Sequence, residues 1–208
     1  MEDVIAVYES PYDPQYPVVC FDEACQQLFG EVRPPQPAQP GRPARPDYEY
    51  EHQGVCHQLV PCEPLTGWRH VRVTERRTRK DYAFGLRELV DAYFPEAEKI
   101  RLVQDSLNTH DGASRYEALP PEEARRILAK IAWHSTPKHG SWLNLAESEI
   151  SIRNSQCLDC RLGSVAAVAA QVAPWEEARN AKGIRVHWTF TVAAARQKLK
   201  KLYPSVED

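Results

Sequence analysis

The sequence predicts an α/β domain in which a mixed five-stranded sheet is flanked by helices. Three observations carry this. A short apolar run at 18–21 has the continuous character of a strand buried on both faces, and 100–104 and 131–135 also read as short strands. The first of them and two longer strand-like stretches, 48–62 and 68–74, all precede the first helical crossover, which points to a mixed sheet. From Thr78 onward, apolar residues recur at helical spacing between and after the remaining strands. The chain has 208 residues, enough for one such domain with a buried core.

The elements follow in order. Residues 1–17 mix tyrosines, prolines and acids and read as an entry arm. Val18-Val19-Cys20-Phe21 is a strand ending in Asp22-Glu23. Residues 34–46 hold six prolines, a density that neither helix nor ladder tolerates. They read as a stiff surface loop, or more sharply as a partner-binding arm. The strands 48–62 and 68–74 are joined by the turn Leu65-Thr66-Gly67. Tyr82, Leu86, Leu89 and Tyr93 then mark a helix that Pro95 stops. Residues 100–104 form a strand ending in Asp105, 121–131 a helix opened by Pro121, and 131–135 the fifth strand. Helices are expected over 142–162, over 165–181 with an interruption near Pro174, and over 193–202. Trp133, Trp175 and Trp188 are expected in the core. The organisation is thus an arm (1–17), a main domain (18–163) and a helical part of the same domain (164–208), without internal repeats.

Composition narrows the class. The net charge is -3, which argues against a protein that coats nucleic acid along its whole surface. No apolar run approaches the roughly 18 residues that span a bilayer, and the acidic start lacks an apolar leader, so a cytoplasmic location is expected. The six cysteines are then reduced. Cys157-x-x-Cys160 with Cys56 and Cys62 supplies the ligand types of a four-thiolate zinc site. The wide Cys56–Cys62 spacing favours small buried thiols instead.

Two acids, Asp22 and Asp105, directly follow apolar strands, where ligands gather in open α/β sheets. A third, Glu147, lies on a later helix. Three carboxylates from separate elements are the hard oxygen donors that divalent cations take, and two such ions can drive displacement at a phosphodiester. The alternative is that they are ordinary turn, cap and surface acids. Within the helix, Glu147 borders the apolar face of Leu143, Ala146, Ile150 and Cys157. Glu149 lies roughly 200° further round and is expected to face solvent.

Positive charge is concentrated in two segments. Arg69, Arg72, Arg76, Arg77, Arg79 and Lys80 stand against Glu75 alone, a net +5. Residues 185–203 carry Arg185, Arg196, Lys198, Lys200 and Lys201 and no acid, again +5. Such patches suit a phosphate backbone, or simply a solvated face.

Several segments carry a family resemblance: Val18-Val19-Cys20-Phe21-Asp22-Glu23, Gly41-Arg42-Pro43-Ala44-Arg45-Pro46-Asp47-Tyr48-Glu49-Tyr50, Gly67-Trp68-Arg69-His70-Val71, Val103-Gln104-Asp105-Ser106-Leu107-Asn108-Thr109-His110, Thr136-Pro137-Lys138-His139-Gly140-Ser141-Trp142-Leu143-Asn144-Leu145-Ala146-Glu147, Gln156-Cys157-Leu158-Asp159 and Lys200-Lys201-Leu202-Tyr203-Pro204-Ser205. In this order they resemble the bacterial insertion-sequence transposases related to the mariner superfamily. The resemblance implies a ribonuclease H-like core and a DDE triad of Asp22, Asp105 and Glu147. It also implies two Mg²⁺ or Mn²⁺ ions, cleavage at transposon ends and strand transfer by a free 3′-hydroxyl. Double-stranded DNA would be held by Arg69, Arg72, Arg76, Arg77, Arg79, Lys80, Lys138, Lys198, Lys200 and Lys201. Ser106, Asn108, His110 and Asn144 would neighbour the site, with His110 either on phosphate or in a structural hydrogen bond. A homodimer is implied, and the Pro-rich segment falls where mariner-type enzymes reach a partner subunit. Three departures stand out: no helix-turn-helix module precedes Asp22, Ser106 replaces a common Asn after the second aspartate, and Cys56, Cys62 and Cys160 fall outside the family pattern. The chain therefore reads as a catalytic half whose DNA-recognition part is separately encoded, or as a silent remnant that only binds DNA or protein.

Overall fold

The computed structural model describes residues 1–45, 47–105 and 118–202. Its sheet has six strands, β1 (Val18–Glu31), β2 (Tyr50–Glu63), β3 (Trp68–Arg69), β4 (Arg72–Thr74), β5 (Ile100–Gln104) and β6 (Ile131–Ser135). Their order is β3-β2-β1-β5-β6, with β4 also pairing to β2. β1 pairs antiparallel with β2 and parallel with β5, and β5 pairs parallel with β6, so the sheet is mixed as expected. The sixth strand arises because 68–74 is two strands: His70 and Val71 leave the ladder between them, and β3 and β4 pair with different parts of β2.

β1 decides where everything packs. Its side chains alternate, as a strand's must. Val19 and Phe21 join Leu59, Leu102, Ile100 and Ile131 under helices α2 (Arg79–Glu88) and α3 (Pro121–Ala129). Val18 and Cys20 join Cys62 and Val103 on the opposite face, under helices α1 (Glu2–Glu9), α4 (Ala146–Gln156) and α6 (Val192–Lys198). A third cluster, including Leu28, Cys56, Val60, Cys157 and Val168, lies beneath α5 (Val165–Lys182). The expectation that β1 ends before Asp22 is corrected. β1 continues to Glu31, half-exposed, because its polar continuation still pairs with β2 from Glu23↔Leu59 to Glu31↔Tyr50.

The arm expected over 1–17 is in part a helix. Val4, Ile5, Val7 and Tyr8 of α1 are buried, and the Tyr8 hydroxyl donates to the Leu143 carbonyl at 2.7 Å. Two turns of amphipathic pattern are too few to stand out beside the prolines of 11–17. α2 starts on a capping box between Thr78 and Asp81 and ends in a π turn, Leu89–Tyr93. Gly85 lets it press on the sheet: a Cβ there would lie 3.3 Å from both Leu59 and Phe21. α5 runs through Pro174 without the expected interruption. Pro174 and the nearby Ala170 and Ala173 are exposed, so the carbonyl that loses its partner is left to water. Residues 34–45 are exposed, bridged at Gln36↔Arg45 and Gln39↔Arg42. Their base is held by Arg161, which donates to the carbonyls of Asp47 and Glu49. Trp133, Trp175 and Trp188 are partly buried against the three clusters. Among the described residues no helix is long and apolar enough to cross a membrane.

The long helix expected over 142–162 is shorter: a 3-10 turn, Ser141–Leu143, precedes α4. Its faces are also the reverse of the expectation for the two glutamates. Glu147 is exposed, whereas Glu149 is 7% exposed. Glu149 accepts from Arg179 at 3.0 and 3.2 Å and stands 3.0 Å from Arg69 Nε. Arg69 Nη2 donates to the Ile184 carbonyl, and the Asn180 side chain bonds both backbone groups of Arg69. This polar knot pins β3 and α5 to α4. The face was misread because the buried stripe of α4 includes Glu149 and Arg153, which hydrophobic patterning counts as outward.

Removing one partner of a buried ion pair leaves the others uncompensated. Glu149→Gln is therefore expected to lower unfolding stability by about 3–5 kcal/mol. Glu147→Gln, at an exposed position, should change it by under about 0.5 kcal/mol. Urea denaturation followed by circular dichroism measures both; a Glu149→Gln midpoint equal to that of the unmodified chain would contradict the assignment.

Candidate active site

The parallel register of β1 and β5 ends at Phe21↔Gln104. Asp22 and Asp105 are the next residue of each chain segment. Both follow the parity of Cys20 and Val103, so both belong to the face covered by α1, α4 and α6. Glu147 sits in the first turn of α4 on that same face. The topology alone thus brings three carboxylates from distant parts of the sequence to one end of the sheet.

Asp22 is 8% exposed, and its Oδ1 accepts from the Glu23 backbone N–H at 2.8 Å. Burial pushes its carboxyl up to about 7; the Glu23 N–H opposes this, while the charges of Asp105, Glu147 and Glu23 add to it. Asp105 Oδ1 accepts from the Thr136 hydroxyl at 2.7 Å, and the Thr136 N–H donates to the Gln104 carbonyl at 2.9 Å. Gln104 is itself buried and hydrogen-bonded by the Tyr82 hydroxyl. Asn144, 1% exposed, donates to the Phe21 carbonyl at 3.0 Å. Its own carbonyl accepts from the Glu147 N–H at 3.1 Å. Asn144 therefore ties the start of α4 to the residue before Asp22, and Thr136 ties the end of β6 to Asp105. Thr136 went unnoticed in the sequence because a lone threonine after a strand carries no pattern. Ser106, Asn108 and His110 lie outside the described residues.

The three carboxylates interact electrostatically. Even so, among the described residues no three acidic, imidazole or thiol side chains are gathered closely enough to hold a metal ion as they stand. Their donor chemistry fits a hard divalent cation, which would offset the burial and mutual repulsion that raise Asp22. Of the cysteines, Cys157 Sγ donates to the Gln171 carbonyl and Cys56 is buried beside β4 and α5 in the third cluster.

The basic residues divide. Arg69 does not face DNA: it is 2% exposed and committed to Glu149, Asn180 and Ile184, because β3 turns its side chain inward. Arg72 is ion-paired to Glu88. Arg77 stands 3.6 Å from Glu23, the neighbour of Asp22, so the segment entering α2 approaches the same end of the sheet from its other face. Arg76, Arg79 and Lys80 are exposed there. Lys138 is exposed on the loop between β6 and α4. Lys198 lies over the Phe190 ring at 5.9 Å, and Lys200 and Lys201 are exposed at the end of α6. Arg196 is ion-paired to Glu2 of α1.

A family model described as DDE superfamily endonuclease matches residues 17–168. No curated protein matches the chain. Among solved structures, the chain is similar to the crystal structure of the Mos1 strand transfer complex, at 15% identity and a TM-score of 0.53 over 87% of this chain and 54% of that one. It is also similar to the Mos1 transposase paired-end complex with left transposon end, at 17% identity and a TM-score of 0.51 over 88% of this chain and 57% of that one. At these identities the likeness is one of fold, and the chain spans little more than half the length of the structures it matches. The fold is the ribonuclease H-like one expected from the sequence. The family match covers more than two thirds of the chain and includes all three carboxylates, and the chain belongs to the DDE superfamily endonucleases.

Proposed function

We propose that this chain is the catalytic domain of a transposase that cuts DNA at the ends of an insertion sequence and joins them to a target. One observation carries the reading: the β1–β5 register and the Asn144 tie converge Asp22, Asp105 and Glu147 on one end of the sheet. Their proposed role is to hold divalent ions, with two Mg²⁺ as the specific proposal. When bound, such ions supply an activated oxygen nucleophile and stabilise the leaving oxygen at phosphorus. Asp22 is the fixed ligand, held by the Glu23 N–H. Asp105 is oriented by Thr136. Glu147, exposed on the first turn of a pinned helix, is free to swing inward.

The DNA backbone is proposed to run over Arg76, Arg77, Arg79 and Lys80 on one side and Lys138, Lys198, Lys200 and Lys201 on the other. Arg72 contributes only if it leaves Glu88. The solved structures similar to this chain include a paired-end complex with transposon DNA, which supports a homodimer as the working form. A helix-turn-helix part that recognises the ends belongs to the same proposal.

Three outcomes test it. Asp22→Asn, Asp105→Asn and Glu147→Gln should each lower Mg²⁺- or Mn²⁺-dependent nicking of supercoiled DNA by at least about 100-fold. Wild-type turnover in folded Glu147→Gln would remove the triad.

The second outcome is a pH dependence. A folded-state carboxyl raised above its unfolded value stabilises the fold below the unfolded value, and that stabilisation is lost as pH rises through the folded value. Metal-free protein should therefore lose stability between the ordinary aspartate range and about pH 7, the value to which Asp22 is raised. Asp22→Asn should be the more stable form at pH 8, by about 2–4 kcal/mol, with the difference vanishing near pH 4. Added Mg²⁺ should restore stability to the unmodified chain at pH 8 and not to Asp22→Asn. Thermal unfolding across pH checks both; a flat difference between the two proteins would exclude the burial of Asp22 as described.

Third, Arg76→Ala with Lys80→Ala should weaken DNA binding evenly across sequences and lower the salt slope by about 2. Fluorescence anisotropy at several salt concentrations reads this, and an unchanged slope would place the DNA elsewhere.

A further inference from the structure

The loop between β6 and α4 carries more than its two tethers to the carboxylates. Trp142 stands on it with 49% of its surface exposed, although it lies between residues that are firmly held. Next to it, Leu143 is fully buried and its carbonyl takes the Tyr8 hydroxyl bond. The backbone before it is a tight turn in which Gly140 N–H donates to the Pro137 carbonyl at 2.8 Å and Leu143 N–H to the Gly140 carbonyl at 3.0 Å. Within that turn His139 adopts φ 63°, a left-handed conformation that a non-glycine residue holds only when its surroundings impose it. The indole meets the Phe190 ring at 6.2 Å and 62°. Phe190 is in turn backed by Trp188, and Trp188 by Tyr8 at 4.7 Å. An aromatic series runs from the core to one half-open indole.

Trp142, Lys138, His139 and Pro137 line a cavity of about 250 Å³. This is below the size of pockets that take drug-sized ligands and suits a single planar ring system. Lys138 borders the cavity and Lys198 lies over Phe190 behind it, so cations flank the aromatic surface. An exposed indole on a rigid turn with positive charge around it matches one chemistry well: a base stacks on the ring while its phosphates meet the lysines. A base inside a duplex offers only its edge, so the occupant must be unpaired.

We propose that Trp142, with Lys138 and His139, forms a stacking seat for one unpaired nucleobase of the DNA engaged at the carboxylates. The inference rests on the reading of the chain as a DNA-processing domain and deepens it. The seat lies on the segment whose ends are fixed by Thr136 to Asp105 and by Asn144 to the residue before Asp22. A base captured there would hold its strand beside the carboxylates.

The test uses the full chain without divalent metal and two short duplexes, one blunt and one ending in a few unpaired nucleotides that include 2-aminopurine. The unmodified chain should bind the unpaired-end duplex about tenfold more tightly than the blunt one and quench the 2-aminopurine. Trp142→Ala should lose the preference and the quenching while keeping blunt-duplex affinity within about twofold, and Trp142→Phe should keep most of both. Quenching in the unmodified chain needs no variant to fold, so its absence alone overturns the seat. An equal loss of affinity for both duplexes in Trp142→Ala also overturns it. A chain that nicks plasmid with metal but shows no preference for unpaired ends loses the seat and keeps the proposed function. A chain that neither binds nor nicks DNA loses both.

Discussion

Parallel pairing between β1 and β5 is the constraint on which the rest of this structure depends. A strand pairs in register or flips every side chain to the wrong face. Here the register is locked by burial on both faces, with Val19 and Phe21 beneath α2 and Val18 and Cys20 beneath α1 and α4. The same lock sets Asp22 and Asp105 side by side at the point where the parallel pairing stops. A slip of one residue would expose the core and separate the carboxylates, so stability and chemistry share one determinant.

The second determinant is the buried knot around Glu149. Two guanidinium groups, Arg69 and Arg179, converge on one carboxylate, and Asn180 satisfies the backbone of β3. Burial lowers the Arg69 pKa, while the Glu149 charge opposes that. A buried network of this kind adds little net stability over apolar packing. What it does here is fix the rotation of α4 about its axis. With Glu149 held inward, Glu147 two residues earlier is left exposed on the first turn of α4. In the proposed site, the third carboxylate is positioned by a neighbour that takes no part in it.

The site itself is poorly optimised for stability. Asp22 is buried near three other acids, and the Glu23 backbone N–H opposes the resulting rise in its pKa. A protein that needed only to fold would place an apolar residue there. The arrangement makes sense where a cation is the missing partner, in keeping with the tendency of perturbed carboxylates to gather at functional sites. The left-handed His139 and the half-open Trp142 beside it are further local departures from the most stable choice, and they fall on the same loop.

The sequence by itself determined the start of β1, the strands β5 and β6 and the fold class, because each rests on local signals: apolar runs, helical period and an ordered set of motifs. Burial on both faces writes itself into 18–21 as uninterrupted hydrophobicity. Tertiary structure decided what local patterning cannot carry. It joined residues 2–9 to the core through a helix too short to show a clear period. It split 68–74 into two strands, since edge pairing depends on where β2 runs. It turned Arg69 inward and Glu149 with it, because charge reads as surface until a partner from another element compensates it. It also left Trp142 half-exposed, against Phe190. In each case the deciding partner lies far away in the chain, as Arg179 does for Glu149 and Phe190 for Trp142.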